Sequence, residues 1–138
     1  MEYKSIFDII GPIMVGPSSS HTAGALEIAK YARQKFGQQP DRVEITLFNS
    51  FAKTYKGHGT DVALVGGILN FEPDDLGIPN AIELAEIAGI EISFKTSDRI
   101  AQHPNTVTLV LMKDDNLLEV TGISIGGGSF KIVGERNV

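Results

Sequence analysis

Arg42-Val43-Glu44-Ile45-Thr46-Leu47-Phe48 alternates polar and apolar side chains in strict period two. Successive side chains of a strand point to opposite faces, so this stretch predicts a half-buried strand with one face on a core and the other wet. A sheet covered on one side needs its helices on that side. Upstream, Leu26, Ala29, Arg33 and Phe36 recur at spacings of three and four, and Ile28, Tyr31 and Ala32 widen the apolar stripe. That spacing predicts a helix of about fourteen residues, and Gly37 closes it as a residue just past a helix C-terminus does.

Before this helix stands Gly16-Pro17-Ser18-Ser19-Ser20-His21-Thr22-Ala23-Gly24. Serine and threonine are poor helix formers but good caps, because their oxygens accept from the free N–H groups of a first turn. The run reads as a turn at a helix start. Its surplus hydroxyls, together with the positive end of the helix, suit a carboxylate or phosphate. Earlier still, Ile6-Phe7-Asp8-Ile9-Ile10 is a short strand or helical turn closed by Gly11-Pro12.

Downstream of the strand, Thr60-Asp61 reads as the cap and first turn of a second helix through Leu69. Gly66-Gly67 inside it costs about 2 kcal/mol in propensity relative to two alanines, so close packing against a neighbour is expected. Phe71 to Pro79 is rich in turn residues, and Asn80 then caps a third helix, Ala81 to Ala88, stopped by Gly89. Ile90 to Phe94 alternates as a strand. His103-Pro104-Asn105-Thr106 is a turn, since proline drives the residue before it out of the helical region. Val107 to Met112 and Leu117 to Ile125 form a hairpin across Asp114-Asp115-Asn116. Gly126-Gly127-Gly128 marks a bulge or a close approach before Phe130 to Val133. This order predicts an α+β fold with a mixed, largely antiparallel sheet and helices packed on one face.

At 138 residues, with 42% hydrophobic and 21% charged residues, the composition is that of one soluble globular domain. Twelve Lys+Arg against seventeen Asp+Glu give a net charge of -5, and neither sign is gathered into blocks, which argues against a nucleic-acid partner. Cysteine is absent, which excludes a disulfide and a thiolate ligand set on this chain. Asp8, Gly11 and Pro12 interrupt the first fifteen residues, so these make neither a signal sequence nor a spanning helix. The expectation is a cytoplasmic protein with small-molecule or protein partners and no membrane.

The sequence holds three histidines: His21, His58 in Gly57-His58-Gly59-Thr60, and His103. Each falls where this reading places a turn, beside a serine or threonine and a glycine or proline. A loop histidine is ordinarily a solvated side chain, but such loops are also how side chains are presented to a ligand. A neutral imidazole takes or returns a proton near pH 7, and hydroxyls and backbone amides fix a carboxylate. The set suits amino-acid or hydroxy-acid chemistry. There is no GxGxxG, Walker A, Gly-x-Ser-x-Gly or HExxH motif.

Taken together, Gly16 to Thr22, Gly57-His58-Gly59-Thr60-Asp61, His103-Pro104-Asn105 and Ser124-Ile125-Gly126-Gly127-Gly128 resemble the β chain of the iron–sulfur-dependent bacterial L-serine dehydratases. The matches run from the first tenth of the chain to its last. Ala25 departs from the family, many of whose members carry proline there. The resemblance implies residues 1–134 as the family's β domain, 135–138 as the start of a linker, and an ACT regulatory domain absent from this chain. It further implies conversion of L-serine to pyruvate and ammonia, with a [4Fe–4S] cluster ligated by a partner α chain, whose iron would act as a Lewis acid on the departing hydroxyl. A homodimer is an additional expected assembly. In this reading Ser19, Ser20 and Thr22 hold the substrate carboxylate, while Gly59 and Thr60 line the same pocket. Asn105 orients substrate or a histidine. His58 is the first choice for proton transfer, with His21 and His103 as alternatives or substrate holders. A second reading is a regulatory anion-binding module of the kind attached to some 3-phosphoglycerate dehydrogenases.

Overall fold

The computed structural model describes residues 19–48, 52, 59–97, 99 and 105–137. The Ile6 to Ile10 segment lies outside them. The alternating stretch is a strand over its full expected length, β1 (Arg42–Phe48), with Val43, Ile45 and Leu47 fully buried on one face. Four more strands join it: β2 (Glu91–Ser97), β3 (Thr106–Lys113), β4 (Asn116–Gly126) and β5 (Ser129–Asn137). The sheet order is β2-β1-β3-β4-β5. β1 pairs with β2 in parallel, and every other pairing is antiparallel. The mixed, largely antiparallel sheet expected from the sequence is therefore present.

Among the described residues three helices supply the other side of the core. They are α1 (Ser19–Phe36), α2 (Thr60–Ile68) and α3 (Ala81–Ile87), with a short 3-10 turn, Ile78–Asn80, before α3. Val107, Leu109 and Leu111 of β3 and Leu118 and Val120 of β4 meet Ala25, Ile28, Ala29 and Ala32 of α1. Leu64, Val65 and Ile68 of α2 and Ala81 and Ala85 of α3 complete the cluster. Each large side chain taken fully out of water contributes about 1.5–3 kcal/mol, so this face anchors the helices. On the opposite face Thr46, Thr108 and Thr121 are only partly buried, and the Thr108 and Thr121 hydroxyls hydrogen-bond at 2.8 Å.

Two expectations change. Ser19, Ser20, His21 and Thr22 were read as a turn ahead of the helix, but they are its first turn, which lengthens α1 to 18 residues. Thr22, Gly24 and Ala25 are buried, and this tertiary packing overrides the low propensity of the serine run. At α2 the cap residue is Gly59, in the left-handed region at φ 82, rather than Thr60. Gly37 and Gly89, at φ 81 and 87, end α1 and α3 as expected.

The triple glycine resolves into two devices. Gly127 and Gly128 form the two-residue loop between β4 and β5, with φ of 64 and 80, as a type I′ hairpin turn requires. A register shift between Ser124 and Gly126 leaves Ile125 as the extra residue of a bulge.

Candidate functional site

Glycine lets α1 lie hard against β4. A Cβ on Gly24 would collide with the Ser124 hydroxyl and come within 3.0 Å of the Ser129 carbonyl oxygen, and one on Gly122 would sit 2.8 Å from Ile28. The contacts 24 to 124 and 28 to 122 set the start of α1 beside the end of β4. Ala23, one turn into α1, is the neighbour that a Gly128 Cβ would meet, at 3.9 Å. The Ser124 N–H donates to the Asn105 carbonyl at 3.0 Å, which brings the start of β3 to the same place.

α2 runs parallel to α1. Gly67 faces Leu26, Ala29 and Lys30, and the Gln34 amide donates to Asn70 Oδ1 at 3.3 Å one turn further on. Counting back at 1.5 Å per residue, the start of α2 lies about 10 Å and the start of α1 about 10–16 Å before the Gly67 contact, toward the same end. The start of α1, the start of α2, Asn105 and the Gly127-Gly128 turn therefore share one end of the sheet. Phe48 of β1 and Ser97 of β2, paired with each other, end there too.

This end concentrates buried polarity. Five polar or charged residues are buried among the described residues, and Thr22, Thr60, Thr106 and Ser124 are four of them. The two helix starts differ in charge. α2 carries Asp61 in its first turn, and the Asp61 carboxylate accepts from the Val62 N–H at 2.8 Å. α1 has no acidic residue in its first turn and carries Arg33 and Lys35 in its last. The start of a helix is its positive end, and its first N–H groups find no acceptor within the helix.

Of the expected site residues, the structure brings Thr22, Gly59, Thr60 and Asn105 to this end, along with the backbone of Ser19 and Ser20. His58 and His103 lie outside the described residues, as do the side chains of His21, Ser19 and Ser20. The backbone of His21 is helical, not a turn. The sequence reading did not single out Ser124 or Thr106 as buried polar groups, or Gly24 as the point of closest approach. Ser124 continues the inward register of Leu118, Val120 and Gly122, which was the available signal.

Away from this end, the Lys30 ammonium is buried and pairs with Glu72 at 2.6 Å. Burial pushes the neighbouring Glu27 carboxyl above its ordinary range, against the pull of Lys30 and with a push from Glu72. Tyr31 donates to Glu135 on β5, and that bond raises the phenol's pKa. Among the described residues no group of three His, Cys, Asp or Glu is placed to hold a metal ion, and no helix is long and apolar enough to cross a membrane.

A family model described as serine dehydratase beta chain matches residues 5–88. The chain belongs to the serine dehydratase beta chain family. Relatives in this family include a probable L-serine dehydratase, beta chain, of Bacillus subtilis (strain 168), 53% identical over 96% of this chain and 60% of the relative. The L-serine dehydratase, beta chain, of Peptoniphilus asaccharolyticus is also 53% identical, over 94% of this chain and 59% of its own length. L-serine dehydratase TdcG of Escherichia coli (strain K12) is 31% identical over 90% of this chain and 32% of its own length. The chain thus spans about three-fifths of the two beta chains and about a third of the E. coli protein.

Proposed function

We propose that this chain is the β chain of a two-chain L-serine ammonia-lyase and that the shared end of α1, α2 and β4 is its substrate-binding wall. The single observation that carries the reading is 53% identity over nearly the whole chain to two proteins named as L-serine dehydratase beta chains. It is supported by the start of α1, whose first turn carries no acidic residue that would oppose a bound carboxylate.

In this reading the carboxylate of L-serine sits on the first-turn N–H groups of α1 with Ser19 and Ser20, and the buried Thr22 and Thr60 fix the two helix starts behind it. Gly59 and Asn105 border the amino end of the substrate. His58 takes the proton from Cα and returns it to the departing β-hydroxyl, which leaves as water, with His21 and His103 as alternative bases or holders. The product aminoacrylate tautomerises and hydrolyses to pyruvate and ammonia. A [4Fe–4S] cluster does not fit this chain's own donor set, which lacks cysteine, so the cluster of the reading belongs to a partner α chain. The work of these residues is to bind, orient and move a proton. The reading places the enzyme in the cytoplasm, and a homodimer of the chain is a further assembly that sedimentation of the complex reads directly.

The test is anaerobic co-expression with the cognate α chain and a serine-to-pyruvate assay. Parent protein should make pyruvate only as the pair. The variant His58→Ala should lose about 100-fold or more in kcat, the scale of a general base. Near-normal turnover in the variant would overturn the base assignment, and a parent pair that makes no pyruvate would overturn the function.

A further inference from the structure

α1 and β4 meet through two contacts of opposite sense. At the first the helix is bare and the strand carries the side chain: a Cβ on Gly24 would collide with Ser124 Oγ and lie 3.0 Å from Ser124 Cβ. At the second the strand is bare and the helix carries it: a Cβ on Gly122 would lie 2.8 Å from Ile28 Cγ2. Four helix residues advance about 6 Å and two strand residues about 6.6 Å, so the two contacts run in step. Sliding α1 by one turn in one direction would drive Ile28 onto Ser124. Sliding it the other way would set Gly24 opposite Gly122 with a gap between them. The two contacts together accept one register of helix on strand.

Ser124 is the part of this lock nearest the shared end of the sheet. It is fully buried, its N–H donates to the Asn105 carbonyl at 3.0 Å, and it pairs with Phe130 across the β4–β5 ladder. The strand that carries it is therefore held from both sides, by β3 and by β5. The Ile125 bulge and the Gly127-Gly128 turn follow directly, and Ala23, next to Gly24, is the neighbour of Gly128 across the gap. Whatever sets the height of Gly24 over β4 also sets the height of the helix start just over one turn away.

We propose that Ser124 is a positioning residue of the substrate wall: seated on Gly24, it sets how the first turn of α1 stands over β4 and beside the glycine turn, and through that the affinity for the carboxylate of L-serine. The proposal rests on the reading above, in which this turn of helix holds the carboxylate. The carboxylate takes no part in the bond changes of the elimination, so contacts to it are alike in the bound substrate and in the transition state. Loss of such contacts raises KM and leaves kcat in place. His58, the base of that reading, precedes α2 in the chain and not α1.

The test is steady-state kinetics of the co-expressed pair with its cognate α chain, beside melting temperatures of the same proteins. Atoms in good contact sit about 3.5–4.0 Å apart, so Gly24→Ala forces α1 off β4 by about 1 Å at this point. A misplacement of that size costs up to about 100-fold, so KM for L-serine should rise about tenfold or more while kcat stays within about threefold. Gly24→Ala/Ser124→Gly moves the side chain from strand to helix. It leaves only the Ser129 carbonyl oxygen at 3.0 Å, on an exposed residue at the start of β5 that can give way slightly. Its KM should return to within about threefold of the parent. Ile28→Val lowers the melting temperature through lost burial at the second contact but keeps the first, and its KM should stay within about twofold. If Gly24→Ala does not fold, Ser124→Ala carries the test, because it removes the hydroxyl seated on Gly24 without a collision; its KM should rise about threefold or more at unchanged kcat. In an active pair, a KM for Gly24→Ala within twofold of the parent overturns the positioning role alone, as does a fall in kcat as large as the rise in KM. A double variant that keeps the KM of Gly24→Ala, or an Ile28→Val KM that rises as far, would make the effect one of general stability and overturn it too. A parent pair that makes no pyruvate removes the function reading and the positioning role with it.

Discussion

Gly66 and Gly67 are chain neighbours in one helix, yet an alanine at each should act in opposite directions. A Cβ at Gly67 would meet the Leu26 carbonyl oxygen and lie 2.6 Å from Ala29 Cβ and 2.8 Å from the Lys30 nitrogen. Atoms in good contact sit about 3.5–4.0 Å apart, so α1 and α2 must separate by about 1 Å. Two of the three obstacles are backbone and cannot swing aside. Overpacking of this kind costs about 1–3 kcal/mol, and the rigid obstacles place Gly67→Ala at the upper end. The helix propensity gained from alanine is about 1 kcal/mol, which leaves a net loss of about 2 kcal/mol. At Gly66 the nearest atom would be Ile78 Cγ1 at 3.4 Å, then Phe71 at 3.7 Å, which is ordinary contact. Propensity should win there, by up to about 1 kcal/mol. At about 2–4 °C per kcal/mol for a chain of this size, Gly67→Ala should melt about 4–8 °C below the parent and Gly66→Ala about 2–4 °C above it. Calorimetry or circular dichroism of the three proteins reads both. Gly67→Ala melting at or above the parent, or Gly66→Ala falling as far, would refute the packing argument. Because the α1–α2 separation sets the spacing of two helix starts, Gly67→Ala should also raise KM for serine in the assembled pair.

Two further outcomes concern the carboxylates around Lys30. Burial raises the Glu27 carboxyl above the usual 4.5, so its contribution to stability is complete below pH 4.5 and is lost as the pH rises through the raised value. Glu27→Gln should therefore match the parent's melting temperature near pH 4 and exceed it at pH 7, by under about 1 kcal/mol because the carboxyl is only half-buried; an advantage that shrinks with rising pH would reverse the sign. In the Lys30–Glu72 pair the lysine side chain is 11% exposed and the glutamate 71%. Glu72→Ala strands a buried cation and should cost about 1–3 kcal/mol, whereas Lys30→Met leaves a carboxylate that water can solvate and should cost less. Equal losses in urea titrations would contradict that asymmetry.

What the sequence disclosed follows from how local each signal was. β1 was legible to the residue because its alternation is complete and both flanks break it. Gly37 and Gly89 were legible as helix ends because the left-handed conformation selects glycine over short range. The start of α1 was not, since Ser18 to Thr22 carry local preferences for a cap, and the close approach of Gly24 to Ser124 involves β4, a hundred residues away. The parallel partnership of β1 with β2 likewise has no local mark. For the Gly66-Gly67 pair, propensity flagged close packing at both positions, and only Gly67 has it. At this end of the sheet, the small polar residues near the start of α1 and at Asn105 were singled out through their turn chemistry, but Ser124 was hidden because a single serine in an inward strand register looks like any other substitution.

The connections of the sheet divide the chain by the entropy of closing it. β3, β4 and β5 are joined by two-residue loops, so their pairings tie together residues already close in sequence. The pairing of β1 with β2 closes across α2, the 3-10 turn and α3, and it meets a larger loop-closure penalty before any contact is made. The proposed substrate wall straddles that boundary. Asn105, Ser124 and the glycine turn belong to the locally connected part, whereas Gly59 and Thr60 sit within the long crossover. The crossover closes only once β2 has found β1, so assembly of the proposed wall waits on the long-range pairings of β1, with β2 and with β3.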